Sequence, residues 1–191
     1  MKKTFLILCL GMNMIGLKNF AQTDADLSFM DRYYKIKDSY KDKTDVYASF
    51  AYSGYNLEEY MNRYYAFKDT HPKLAKYAND YAESKYDIGE FEARISEVKK
   101  AYPDLPEIYG EYAASKWNMQ DFITRYHEIK AAYPKLKQCY AAYAGSYQKL
   151  DDFVKRYFEI KDSYPKQEGI YEEYAASYQA LDKSGVKTGS N

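Results

Sequence analysis

Apolar side chains recur along this chain at alternating spacings of three and four. Leu150, Phe153, Tyr157, Ile160 and Tyr164 follow that rhythm, as do Met119, Phe122, Tyr126, Ile129 and Tyr133, and Ile88, Phe91, Ile95, Val98 and Tyr102. A helix brings such positions onto one face. Each run stops at an X-Pro pair, His71-Pro72, Tyr102-Pro103, Tyr133-Pro134 or Tyr164-Pro165. Proline disfavours helical geometry in the residue before it, so each pair ends a helix. A second stripe follows, Leu136, Cys139, Tyr140, Tyr143, Ala144 and Tyr147. It is wider, as expected of a helix gripped on two sides. The pattern predicts paired helices of about 12 to 15 residues with short links.

The pairs keep a fixed ruler. Positions 71, 102, 133 and 164 are 31 residues apart, and Tyr40-Lys41 stands one period earlier without the proline. Arg32, Arg63, Arg94, Arg125 and Arg156 recur in register, and so do Lys37, Lys68, Lys99, Lys130 and Lys161. The series Phe50, Tyr81, Tyr112, Tyr143 and Tyr174 is followed by Ala51, Ala82, Ala113, Ala144 and Ala175. Ser53, Ser84, Ser115, Ser146 and Ser177 complete the register. Five copies mean five helix hairpins and an all-α fold. One hairpin cannot bury its apolar face alone, so each must stack on its neighbours. Asn56 before Glu59, Asp87 before Glu90 and Asp104 before Glu107 have capping-box spacing, whereas the junction at Lys149 lacks a good cap.

Composition adds the compartment and removes several function classes. Residues 1–22 read as a secretory signal peptide: Lys2 and Lys3, a short apolar run from Phe5 to Leu17, then Ala21. A buried first helix and an uncleaved anchor are the alternatives. The repeat domain is expected over 23–182, with a Gly/Ser-rich disordered tail over 183–191. Export points to the periplasm, the cell surface or secretion. Of 28 basic and 28 acidic side chains, cleavage would remove Lys2, Lys3 and Lys18, leaving 25 against 28. No basic stripe exists for phosphates, which argues against nucleic-acid binding. No span is long enough for stable membrane insertion. Only Cys139 would survive processing, and its register position marks it as a small core residue.

The 25 tyrosines fall mainly at packing positions. Their rings fill an interface while the hydroxyls reach water or a carbonyl. Tyr34, Tyr65 and Phe158 lie off the main stripe and should be exposed. The arginines stand four residues after Glu59, Glu90, Asp121 or Asp152, an order that favours pairing along the helix. The lysines read as a solvated edge and the serines as small close-packing residues. His71 and His127 have no recurring partner, no His/Cys/Asp group has metal-ligand spacing, and no phosphate loop or nucleophile elbow occurs. The expectation is a non-enzymatic protein without metal or cofactor.

Read from one proline to the next, the unit P-K-L-x-x-C-Y-x-x-Y-A-x-S-Y-x-x-L-x-D-F-x-x-R-Y-x-E-I-K-x-x-Y-P resembles a tetratricopeptide repeat. Leu150, Tyr157 and Pro165 match that family's spacing, and Ala144 and its equivalents fill its small contact position. The unit is shorter than the family's, and Phe153 and Ile160 replace small residues. The resemblance covers roughly residues 26–182. It implies an α-solenoid of five antiparallel hairpins in a right-handed superhelix, with the post-proline helices forming a concave face. Tyr52, Ser53, Asp80, Ser84, Glu111, Ser115, Ser146, Glu173 and Ser177 would line that face. A protein or peptide with a polar or basic segment is then the expected partner. A glycan or cell-envelope ligand stacked on exposed Tyr and Trp117 is the alternative.

Overall fold

The structure, a computed structural model, describes residues 24–182. The expected signal segment 1–22 and the tail 183–191 lie outside the described residues. Ten α-helices and no strand occur among those described. Five are long: α1 (Phe29–Ser39), α3 (Leu57–Thr70), α5 (Ile88–Ala101), α7 (Met119–Ala132) and α9 (Leu150–Ser163). Five are short: α2 (Tyr47–Tyr52), α4 (Ala78–Glu83), α6 (Tyr109–Ala114), α8 (Tyr140–Gly145) and α10 (Tyr171–Ala176). The 14 residues of α3, α5, α7 and α9 match the expected length. The post-proline helices do not, at six residues each.

Local chemistry explains the difference. Tyr102, before Pro103, leaves the helical region at φ −135° and ψ 63°. The chain regains a helical course only after a 3-10 turn, Pro106–Ile108 in that hairpin. Ser115 then ends α6 with extended geometry. The other hairpins repeat this course. The long helices start on caps: Ser28 and Asp87 form full capping boxes, and Asn56 and Asn118 accept from the third backbone N–H. Lys149 gives no side-chain cap, as expected. The capping box expected at Asp104 is absent, because the 3-10 turn starts after Leu105 instead.

Each long helix packs on the short helix that follows it. The short helices then pack on one another in sequence, α2 on α4, α4 on α6, α6 on α8 and α8 on α10, and α10 returns to pack on α2. The array therefore closes into a ring, with short helices inside and long helices outside. This differs from an open arc with a one-sided concave face. Wedge shape accounts for it: Ala51, Ala82, Ala113, Ala144 and Ala175 are buried on the inner helices, while Phe29, Tyr60, Phe91, Phe122 and Phe153 fill the outer layer. Small inner and large outer side chains turn each hairpin by a constant angle.

The same contacts join every pair of neighbours. An edge-on aromatic pair bridges Phe50–Tyr60, Tyr81–Phe91, Tyr112–Phe122 and Tyr143–Phe153, with centroids 5.4 to 5.5 Å apart. The fifth copy of this pair is Tyr174–Phe29, from the last hairpin to the first. Tyr55 and Tyr86 hydroxyls, the Trp117 indole N–H and the Gln148 amide each donate to the carbonyl of the next hairpin's serine, Ser84, Ser115, Ser146 and Ser177. Gln179 donates to Ser53 in the closing position. Phe29 and Met30 N–H groups donate to the Ala180 and Leu181 carbonyls at 2.9 and 3.1 Å.

The recurring arginines hold the hairpin corners. Arg94 donates to the carbonyl oxygens of Tyr112, Ala113, Ser115 and Trp117 at 2.8 to 3.2 Å. Its guanidinium lies over the Tyr112 ring, 4.2 Å from the centroid. Arg32, Arg63, Arg125 and Arg156 repeat the arrangement. These carbonyls cluster at and just beyond the C-terminal end of a short helix, where a cation also meets the negative pole of the helix dipole. The pairing expected with Glu59, Glu90, Asp121 and Asp152 gives way to this stronger use of the fork.

Candidate functional site

The inner helices turn their remaining face to the centre of the ring. The position held by Ser49, Asp80, Glu111, Ala142 and Glu173, and the position one turn later held by Tyr52, Glu83, Ala114, Gly145 and Ala176, recur in register there. Two cavities open on this centre. One, of about 530 Å³, is lined by Asp80, Gly110, Glu111, Ala142, Glu172 and Glu173, with Lys76 and Lys137 at its rim. The other, of about 120 Å³, is lined by Tyr52, Glu83, Glu111, Ala114 and Gly145, with Lys85, Lys116 and Tyr147 at its rim. Glu111 lines both, which puts its carboxylate at the middle of the ring.

Four carboxylates from three hairpins share this interior. Burial is the main cause that raises each of them, and repulsion from neighbouring carboxylates adds to it at Glu83, Glu111 and Glu173. Asp80 is pushed up to about 7. Glu173 rises to about 8, with Glu172 and Asp80 contributing. Glu83 is raised well above the usual range by burial and then by Glu111, Glu173 and Asp80. Glu111 follows the same course, with Glu173, Asp80 and Glu172 as its charged neighbours. The Tyr52 phenol, beside Glu83, Glu111 and Glu173, is also raised. Among the described residues, no ion pair joins a cation to these four groups. Only Glu83 has a side-chain partner: Ser49 Oγ donates to it at 2.7 Å and itself accepts from the Tyr60 hydroxyl at 2.9 Å.

Glycines make room for the acids. A Cβ on Gly110 would stand 2.3 to 2.5 Å from the Asp80 carboxyl, and one on Gly145 would stand 3.0 Å from Glu111 Oε2. Asp80 and Glu111 thus lean over the backbone of the next inner helix, where a side chain at Gly110 or Gly145 would push the carboxyl aside.

No family model matches the chain, and no curated protein or solved structure matches it.

Of the residues expected on a binding face, the structure brings Tyr52, Asp80, Glu111 and Glu173 together. Ser84 and Ser115 also line the smaller cavity, whereas Ser53, Ser146 and Ser177 line neither. All five serines are buried at 1 to 6 % exposure, and each Oγ donates to the carbonyl three residues before it. All five serve as corner pieces of their hairpins. Glu83, Glu172, Gly110 and Gly145 belong to the interior and were not singled out by sequence. The available signal was register: Glu83 lies one turn after Asp80 on the same face of α4.

The remaining candidates are accounted for locally. Cys139 is fully buried, and burial pushes its thiol up to about 12. His71 stacks on Phe67 and lies 3.3 Å from Glu92, away from the interior. Tyr34, Tyr65 and Phe158 are exposed, as expected. No group of metal-ligating side chains is assembled among the described residues, and none of their helices is long and apolar enough to cross a membrane.

Proposed function

We propose that this protein is an exported, non-enzymatic scaffold that binds a protein or peptide through basic side chains reaching into the acidic centre of its ring. The tetratricopeptide-like hairpin supplies the architecture in this reading, and a closed inner surface takes the part of the solenoid's concave face. The observation that carries it is the convergence of Asp80, Glu83, Glu111 and Glu173 on two central cavities that share Glu111, with no ion pair to a cation among the described residues. Burial raises these carboxyls and favours their protonated form, and a Lys or Arg side chain from a partner would stabilise the ionised form instead. Lysines at both rims add selectivity, since they favour a partner whose basic residue is flanked by acidic or neutral ones.

Fluorescence anisotropy with basic, neutral and acidic peptides of equal length tests this. Basic peptides should bind, weaken with salt, and lose about tenfold or more in affinity on Glu111→Gln with Glu173→Gln. Equal binding of all three classes, or no effect of the double substitution, would remove the proposal.

A glycan ligand has one observation in its favour. Tyr147 and Tyr178 are 42 % and 70 % exposed, and Tyr147 sits at the rim of the smaller cavity beside Trp117. A panel of soluble glycans that left tyrosine and tryptophan fluorescence unchanged would eliminate it.

A further inference from the structure

The five junctions of the ring are alike in their contacts and unlike in their covalent structure. Four are crossed by the chain itself. The fifth, between the last hairpin and the first, has no covalent link and is held by the packing of α10 on α2, the Phe29 and Met30 N–H groups, the Gln179 and Gln167 amides and the Phe29–Tyr174 ring pair. Carboxylates of α4 and α6 face those of α10 across the centre. Widening the ring at this seam is the movement that separates them while leaving every hairpin intact.

We propose that the ring is a proton-operated clasp, shut while its central carboxylates hold protons and parting at the seam between the fifth and first hairpins when they ionise. No cation forms an ion pair with these carboxylates among the described residues, and the Tyr77 hydroxyl, which lines the larger cavity, makes no hydrogen bond to them. α2 presents the Tyr52 phenol, and α3 presents Tyr60 through Ser49. α8 presents only Ala142 and Gly145 at the equivalent positions. α4 presents Asp80 and Glu83, α6 presents Glu111, and α10 presents Glu172 and Glu173. Lys161 on α9 acts on Glu172, while Lys76, Lys85, Lys116, Lys137 and Glu107 stand at the rims.

The sign follows from which form the closed ring favours. Asp80 and Glu173 are raised in the closed ring, to about 7 and about 8. Protonation therefore supports closure fully below their ordinary range, and that support is lost as pH rises through those values. An open arc returns the carboxylates to water, at the cost of uncovering the apolar packing of the seam, Phe29, Met30 and Tyr174 included. No partner is needed, so this inference stands independently of the proposed function.

Spin-label distances measure the opening. Tyr34→Cys with Gln167→Cys spans the seam, and Tyr65→Cys with Lys43→Cys spans the equivalent chain-crossed junction, both with Cys9 and Cys139 replaced by Ala. Between about pH 6 and about pH 9, the seam pair should gain a longer distance while the control pair and the helical circular dichroism stay constant. Asp80→Asn should move the change to higher pH. Glu83→Gln with Glu111→Gln and Glu173→Gln should keep the short distance throughout. A constant seam distance overturns the proposal. So does parallel lengthening of both pairs with loss of helix, which would be ordinary unfolding, or unaltered pH dependence in the Asp80→Asn protein.

Discussion

At the scale of single residues, the repeated Arg is the clearest case of geometry choosing between two uses of one side chain. A surface pair with a carboxylate four residues away would contribute about 0.3 to 0.5 kcal/mol. Charge-assisted bonds to helix-end carbonyls contribute about 1.5 to 3 kcal/mol. Arg32 is fully buried and spends its donors on Asp24, Phe50, Ala51, Ser53 and Tyr55 oxygens. Arg94→Ala should therefore cost about 2 to 4 kcal/mol in urea unfolding. Arg94→Lys should recover less than half of that, because an ammonium cannot span four carbonyls. A Lys variant as stable as the parent would refute the corner role. Sequence showed that these arginines and serines recur. It could not show that they meet, since Arg94 and Ser115 lie 21 positions apart and no local rule links them. Tyrosine was easier to read: the Tyr47, Tyr109, Tyr140 and Tyr171 hydroxyls donate to the backbone carbonyls of the residues that end the preceding long helix. That is the dual role its chemistry suggested.

At the scale of the helix and hairpin, periodicity located every element. The long helices were legible because stripe and terminator agree, with Tyr133-Pro134 closing α7 and Tyr164-Pro165 closing α9. The short helices were overestimated because their apolar stripe runs on through a 3-10 turn and past the terminating serine. Leu136 precedes the turn and Tyr147 follows Ser146, yet both fit a helical count. Hairpin deletion is the matching experiment. In an open array, removing residues 103–133 would leave a shorter folded protein. In this ring, four hairpins with the same turn angle cannot bring α10 back to α2. The deletion is expected to keep helical content at low temperature and to lose cooperativity, with a thermal midpoint well below that of the full chain. A cooperative transition at the parent's midpoint would contradict closure.

At the scale of the whole molecule, closure is what sequence left out. It depends on a fixed angle per hairpin, set by side-chain volume at many interfaces, which no single motif encodes. The acidic centre was legible in part for the same reason: Asp80, Glu111 and Glu173 share a register, but only the ring makes them neighbours across an interior. Because the seam carries the same ties as the chain-crossed junctions, the position of the chain ends should matter little. A circular permutant joining residue 182 to residue 24 by a Gly/Ser linker, and opened between Pro103 and Asp104, should fold with stability within about 2 kcal/mol of the parent. An insoluble or molten product would show that the seam is not equivalent to the other junctions.

The return of α10 to α2 also bears on how such a gene can change. An open array tolerates duplication or loss of a unit, so copy number can drift among descendants. A circle allows only the number that completes a full turn. Unequal recombination in this gene would yield broken circles, and the count of five is locked by the same angle that shapes the centre.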